Sequence, residues 1–174
     1  LNALLDAWLG EPLGFEQSSF VGRPSDDSIP EPMRGAFQYP DGRAVEGFMT
    51  TARDLMRFGL AVLGGGATAT MDLGIAPGHL EESLTPSTAL NPSYGYLWWL
   101  NGQPFTVRPG TGRRDGPVFP GAPASTVSAL GALGRALHVV PSAGLVVVRM
   151  GGQPPEGDGD RENMLAMLNL RNTE

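Results

Sequence analysis

Apolar positions come in two kinds of rhythm along the chain. Leu1, Leu4, Leu5, Trp8 and Leu9 recur at helical spacing, and Gly10 and Pro12 are expected to stop that helix. A second helical run opens at Thr51-Ala-Arg-Asp54, where Thr at the N-cap and Asp three residues on resemble a capping box. Leu55, Phe58, Leu60 and Val62 would be its buried face, and Gly64-Gly-Gly66 its end. A short helix is expected near His79 to Leu84. The rhythm then changes. Tyr94-Gly-Tyr-Leu-Trp-Trp-Leu100 reads as an aromatic strand, with Tyr94, Tyr96 and Trp98 on one face. Asn101-Gly102 is a hairpin signal that would send Pro104 to Val107 back against it. Three more strands are predicted at about 125–131, 135–141 and 144–151. Asp160 can cap a last helix with Met164, Leu165, Met167, Leu168 and Leu170 as its apolar face.

Between these elements the pattern fails. Residues 15–47 show no sustained period and read as a long loop pinned by Phe20, Met33, Phe37 and Tyr39. Residues 108–124 read as a second Gly/Pro-rich loop, and 154–160 as a polar linker. The order is helix and loops, one long helix, about five strands, then a helix. That is an α+β pattern: an antiparallel sheet with flanking helices. No internal repeat or clean domain boundary divides it.

Composition narrows the chemistry. The chain has 174 residues, enough for one domain with a core. Its 41% hydrophobic and 17% charged residues are those of a globular chain. The formal net charge of −6 argues against nucleic acid as a partner. No stretch approaches the run of about 18 apolar residues that a membrane span requires. There is no Cys, which excludes disulfides, thiolate metal sites and a Cys nucleophile. There is no Lys either, since all 12 basic residues are Arg. A Ser/Lys dyad, a Schiff base and a P-loop lysine are therefore impossible within the chain. With two His, no His-based metal site is expected, and no cofactor is implied. A Gly-x-Ser-x-Gly elbow for a self-contained hydrolase is absent.

Gly131 and Gly134 interrupt the first of the three predicted strands. A glycine within a strand marks a bulge or a close approach to the backbone. His138, mid-strand among apolar residues, reads as a partly buried structural histidine rather than a base. The aromatic cluster reads first as core, and the Arg113-Arg114-Asp115 stretch as a solvated loop. Asp158 and Asp160 flank glycines without the calcium-loop spacing.

Four segments in order resemble the C-terminal part of the class C β-lactamase-like serine hydrolases. Glu11-Pro-Leu-Gly14 is similar to the family's "EPLGM" turn. Gly47-Phe-Met-Thr-Thr-Ala-Arg-Asp-Leu-Met-Arg-Phe58 is similar to "GG-x-ST-A-x-DLARF". Tyr94-Gly-Tyr-Leu-Trp-Trp99 is similar to "YGYGWW". Ser128 to Arg149 is similar to the "A-x-G-x-x-GQ-x-x-x-VVP-x-x-x-LVVVR" strand pair.

The resemblance implies a single partial domain over 1–174, the C-terminal part of a β-lactamase/transpeptidase-like fold. The Ser-x-x-Lys and Tyr-x-Asn segments would precede Leu1, so the missing N-terminal part of the same domain is an expected partner. The family's third motif, Lys-Thr-Gly or His-x-Gly, falls on Ala129-Leu130-Gly131, which keeps only the glycine. The resemblance further implies that the backbone N–H of Ala132 is one of two oxyanion-hole donors. Substrate would lie against Gly131, Ala129, Leu130, Tyr94 and Trp98. The loss of the cationic first position points away from strong β-lactam binding and toward ester, amide or peptide hydrolysis. The expected substrate is a small molecule or peptide. A non-catalytic sugar- or peptide-binding module and an inactive relative are the rival readings. Family members are often periplasmic or secreted, and the compartment of this chain is left open. The chain alone is expected to be inactive, with an open sheet edge and poor solubility.

Overall fold

A computed structural model describes residues 1–22, 46–70, 72–108, 110–131 and 134–152. The predicted last helix, the polar linker, most of the first loop and Ala132 lie outside the described residues. The described residues form antiparallel strands with a few helices, an α+β arrangement.

Helix α1 spans Asn2–Leu5, widens to a π-helical turn over Asp6–Gly10 and closes with a turn over Glu11–Leu13. It does not stop at Gly10. The Glu11 N–H reaches back five residues to the Asp6 carbonyl, and Pro12, which has no N–H to give, sits in the turn that follows. Gly14, at φ 65°, ends the run in the left-handed conformation. Of its apolar residues Leu5 and Leu13 are buried, while Leu1, Leu4 and Trp8 stand exposed.

The loop expected over 15–47 carries structure at both ends. Strand β1 (Ser19–Gly22) pairs antiparallel with β2 (Glu46–Met49). Phe20 lies opposite Phe48, with ring centroids 5.3 Å apart. Asn2 ties α1 to this pair, donating to the Phe20 carbonyl at 3.0 Å and accepting from its N–H.

Helix α2 (Ala52–Leu63) starts and stops as the sequence predicts. The Thr51 side chain accepts the Asp54 N–H at 3.2 Å. At the other end Gly66 N–H bonds the Ala61 carbonyl and Gly65 N–H the Val62 carbonyl, which is a Schellman closure. The buried face is different in detail. Asp54, Gly59, Ala61 and Val62 are buried, Leu55 and Phe58 are half-buried, and Leu60 is exposed. Gly59 explains the shift. A Cβ there would lie 2.6 Å from Val146 Cγ1 and 2.8 Å from Leu137 Cδ1. The helix therefore meets the sheet backbone-first at this point. Helix α3 (His79–Ser83) follows, with His79 its first residue.

The main sheet has the order β3-β6-β7-β8, where β3 is Trp99–Leu100, β6 is Val127–Leu130, β7 is Ala136–Val140 and β8 is Leu145–Arg149. All its neighbours are antiparallel. Strand β7 is buried along its length because both faces are covered. Toward α2, Leu137 and Val139 join Val62, Trp98, Leu100 and Val127. On the other face Val140 packs with Val118 and Phe119. Among the described residues the outer edge of β8 has no strand on it.

The aromatic segment is not one strand. It is a tight turn over Gly95–Trp98, closed by Gly95 N–H to the Trp98 carbonyl at 2.9 Å, and only Trp99–Leu100 joins the sheet. Asn101-Gly102 does not make a hairpin either. Strand β4 (Phe105–Arg108) pairs with β5 (Gly112–Asp115) instead, so the stretch expected to be loop contains a strand. On β5, Arg113 stacks over Phe105 at 3.8 Å, and Arg114 donates to the carbonyls of Pro117 and Val118.

Asn101 is buried, and its side chain holds the loop that covers the outer face. Its Nδ2 lies within 3.2 Å of the carbonyls of Phe119, Ala122 and Pro123, and its Oδ1 accepts the Phe119 N–H at 2.9 Å. Among the described residues no helix is long and apolar enough to cross a membrane.

Candidate functional site

The sequence directs attention to the end of β6, and the hydrogen bonding there is informative. Gly131 N–H donates to the Arg135 carbonyl at 2.8 Å, continuing the register that pairs Ala129 with Leu137. In an antiparallel ladder the bonded pairs recur every second residue. Ala129 and Gly131 thus direct their backbone groups to β7. Ser128 and Leu130 direct theirs to the β3 side.

On that side the ladder is short. Asn101 N–H donates to the Thr126 carbonyl at 2.9 Å, and Trp99 stands opposite Ser128. The next bonded pair would join Leu97 to Leu130. It does not form, because Leu97 is folded into the Gly95–Trp98 turn at φ 66°, the one non-glycine residue with positive φ among the described residues. The outward N–H and C=O of Leu130 are left facing an edge that β3 does not cover. Gly131 follows at the strand end, exposed, with no bulge in the register. A Cβ on Gly131 would meet Arg135 only at ordinary contact distance, so packing by the described residues does not demand glycine here.

The other expected site residues do not gather on one surface. Ala129 packs toward α2, and Leu130 toward Phe119 on the opposite face. Trp98 is core: 7% exposed, its ring stacked on Phe58 with centroids 6.2 Å apart. Tyr94 meets the edge of Trp99 at 4.9 Å, on the face away from Trp98. The expectation that Tyr94, Tyr96 and Trp98 share a face fails because the turn breaks the alternation. Tyr96 is exposed and donates its hydroxyl to Glu82 at 2.8 Å; that hydrogen bond and the carboxylate's charge hold the phenol above its ordinary pKa range.

One pair resembles catalytic machinery and is not. Ser128 Oγ lies 2.8 Å from His138 Nδ1, across the β6–β7 ladder. Both residues are buried, and the Phe119 ring stands edge-on to the imidazole at 5.3 Å. With no access for a substrate, the pair satisfies two polar groups inside the sheet. His138 is structural, as its setting in the sequence suggests.

Sequence reasoning placed Asp54 only in a capping box and missed its main role. It does not complete a reciprocal capping box. Its buried carboxylate turns to the 14–18 segment and accepts the N–H groups of Glu16 and Gln17, the Ser18 hydroxyl at 2.8 Å and Arg57 at 2.9 Å. Burial opposes its charge. The donors of Gln17, Ser18, Glu16 and Arg57 together outweigh that, and the carboxyl titrates below its ordinary range. No cluster of three or more His, Asp or Glu that would hold a metal occurs among the described residues.

An apolar hollow lies elsewhere. A groove of about 860 Å³ runs between α1 and the β1–β2 pair, lined by Leu4, Trp8, Phe20, Phe48 and Ile75. No acid, base or nucleophilic side chain lines it, so it offers binding area without chemistry.

Comparison with known proteins agrees with this architecture. A β-lactamase-like protein of Bacteroides dorei DSM 17855, known from its crystal structure, shares the fold with a TM-score of 0.53 at 16% identity. The match covers 98% of this chain and 50% of that one, so this chain spans about half the length of that relative. No curated protein matches by sequence. The Beta-lactamase family profile matches residues 4–170, nearly the whole sequence, and the chain belongs to that family.

Proposed function

We propose that the chain is the C-terminal part of a serine hydrolase that works by acyl transfer on an ester, amide or peptide bond. The observation that carries this reading is the backbone of Leu130 beside Gly131, uncovered among the described residues, on the strand that the resemblance aligns with the family's third motif. A substrate can lie extended against that edge. The attacking serine, with its lysine and tyrosine, belongs to a segment outside this chain, which has no lysine of its own. The N–H of Ala132 is assigned as one of two oxyanion donors. Such a donor contributes roughly 3–4 kcal/mol to the transition state, and being backbone it survives the change of side chain at Ala129. Ala129 and Leu130 bring no cation to the site, which favours simple esters and amides over β-lactams. The open apolar groove along α1 supports a further part of the same domain packing there.

The missing lysine also favours a second reading, a non-catalytic member whose bare strand edge takes up a peptide by strand addition. Nitrophenyl-ester hydrolysis separates the two. The 174-residue chain alone should show no turnover, and the longer protein carrying an upstream Ser-x-x-Lys should show it. Turnover by the isolated chain, abolished by changing one of its own residues, refutes the partial-domain reading. A longer protein that binds peptide and hydrolyses nothing supports the second.

A further inference from the structure

We infer that Leu97 sets acyl-chain specificity at this site, an assignment that rests on the hydrolase reading above. Two observations carry it. Leu97 occupies the register position opposite Leu130, yet its φ of 66° turns it out of the ladder. A branched side chain is strained in that conformation, where glycine is not.

Packing does not explain the strain. The Leu97 side chain is 81% exposed, so it contributes almost no burial in return. The turn itself is held by Gly95 N–H to the Trp98 carbonyl and by the Tyr96–Glu82 hydrogen bond, neither of which uses the leucine side chain. Strain held at an exposed apolar residue beside an open backbone edge has the form of a ligand contact. A substrate extended along Leu130 and Gly131 runs onto this turn. The Trp98 ring of the same turn is buried and stacked on Phe58, which fixes the turn in place. Leu97 gives that end of the edge an apolar wall. The chemical class selected is an acyl group with a short aliphatic chain, in preference to acetyl.

Two sets of measurements test this, one on the longer protein and one on the isolated chain. In the longer protein, the ratio of kcat/KM for nitrophenyl hexanoate to that for nitrophenyl acetate should fall about tenfold in both Leu97→Ala and Leu97→Gly. The melting temperature should rise by about 2–4 °C in the glycine variant only, since glycine alone relieves the strain. An unchanged ratio overturns the assignment. The second set needs no turnover. N-hexanoylglycine amide and N-acetylglycine amide are titrated into the 174-residue chain while the Leu130 backbone amide is followed by NMR. The hexanoyl compound should shift that resonance at lower concentration, and Leu97→Ala should remove the difference. If the hexanoyl compound is preferred while the longer protein hydrolyses neither ester, the hydrolase reading fails and the role of Leu97 stands. If neither compound moves the Leu130 amide, the assignment of Leu97 is overturned, whatever the esterase result.

Discussion

Replacing Asp54 by Asn tests whether one buried carboxylate joins the long helix to the segment before β1. The side chain keeps its shape and one acceptor oxygen. Its new NH2 group faces donors, so about half of the contacts from Glu16, Gln17, Ser18 and Arg57 are lost. A hydrogen bond to a charged group contributes about 1.5–3 kcal/mol, and neighbouring bonds are not additive, so a loss of about 3 kcal/mol is expected. For a chain of this size that lowers Tm by roughly 6–12 °C. Urea unfolding at pH 7 reads the change as a lower midpoint with unchanged slope. The pH dependence supplies a second check. The carboxyl's folded pKa lies below its unfolded value of about 3.9. Its stabilisation is therefore complete above about pH 4 and is lost as pH falls through the folded value. The gap between the wild type and Asp54→Asn should close in that acid range. A variant within about 0.5 kcal/mol of the wild type at pH 7 would refute the account, since exposed positions alone give changes that small.

Three further substitutions probe the sheet and its edge. Gly59→Ala should destabilise by about 1 kcal/mol or more despite alanine's better helix propensity, because the added methyl meets Val146 and Leu137; a higher Tm would show that the helix simply lifts away. Asn101→Ala should cost about 3 kcal/mol and expose the 117–126 segment to limited proteolysis, since Phe119 N–H and three carbonyls lose their buried partner. On the proposed hydrolase reading, Gly131→Ala should leave the melting temperature within about 2 °C while lowering, at least tenfold, the kcat/KM of a longer protein that carries the upstream Ser-x-x-Lys. Equal activity in that variant removes Gly131 from the site.

The parts legible in the sequence are those whose causes are local. Strands β6, β7 and β8 are apolar runs separated by Gly134 and by Pro141 to Gly144, so burial and turn chemistry agree. Helix α2 carries both its cap residue and its closing glycines. The β1–β2 pair was not legible, because Phe20 and Phe48 meet only through long-range pairing. The Asn101-Gly102 signal misled for a physical reason. The asparagine amide is used on the covering loop, and Gly102 is set by close approach, since a Cβ would lie 2.8 Å from Ala124 Cβ. The motif at 129–131 located the candidate edge. What bares that edge is the backbone of Leu97, and no period in the sequence reports a φ angle.

The close seat of α2 on the sheet has a consequence for synthesis. The helix ends at Leu63, and the strands that receive it begin with Ala136. During translation the part of its face that meets β7 and β8 must wait about 70 residues for that surface, roughly 4–15 s at ordinary elongation rates. Strands β6, β7 and β8 follow one another closely in sequence and can assemble among themselves quickly. The helix is thus made early and docked late. In that interval its exposed face is the part of the nascent chain that a chaperone would hold.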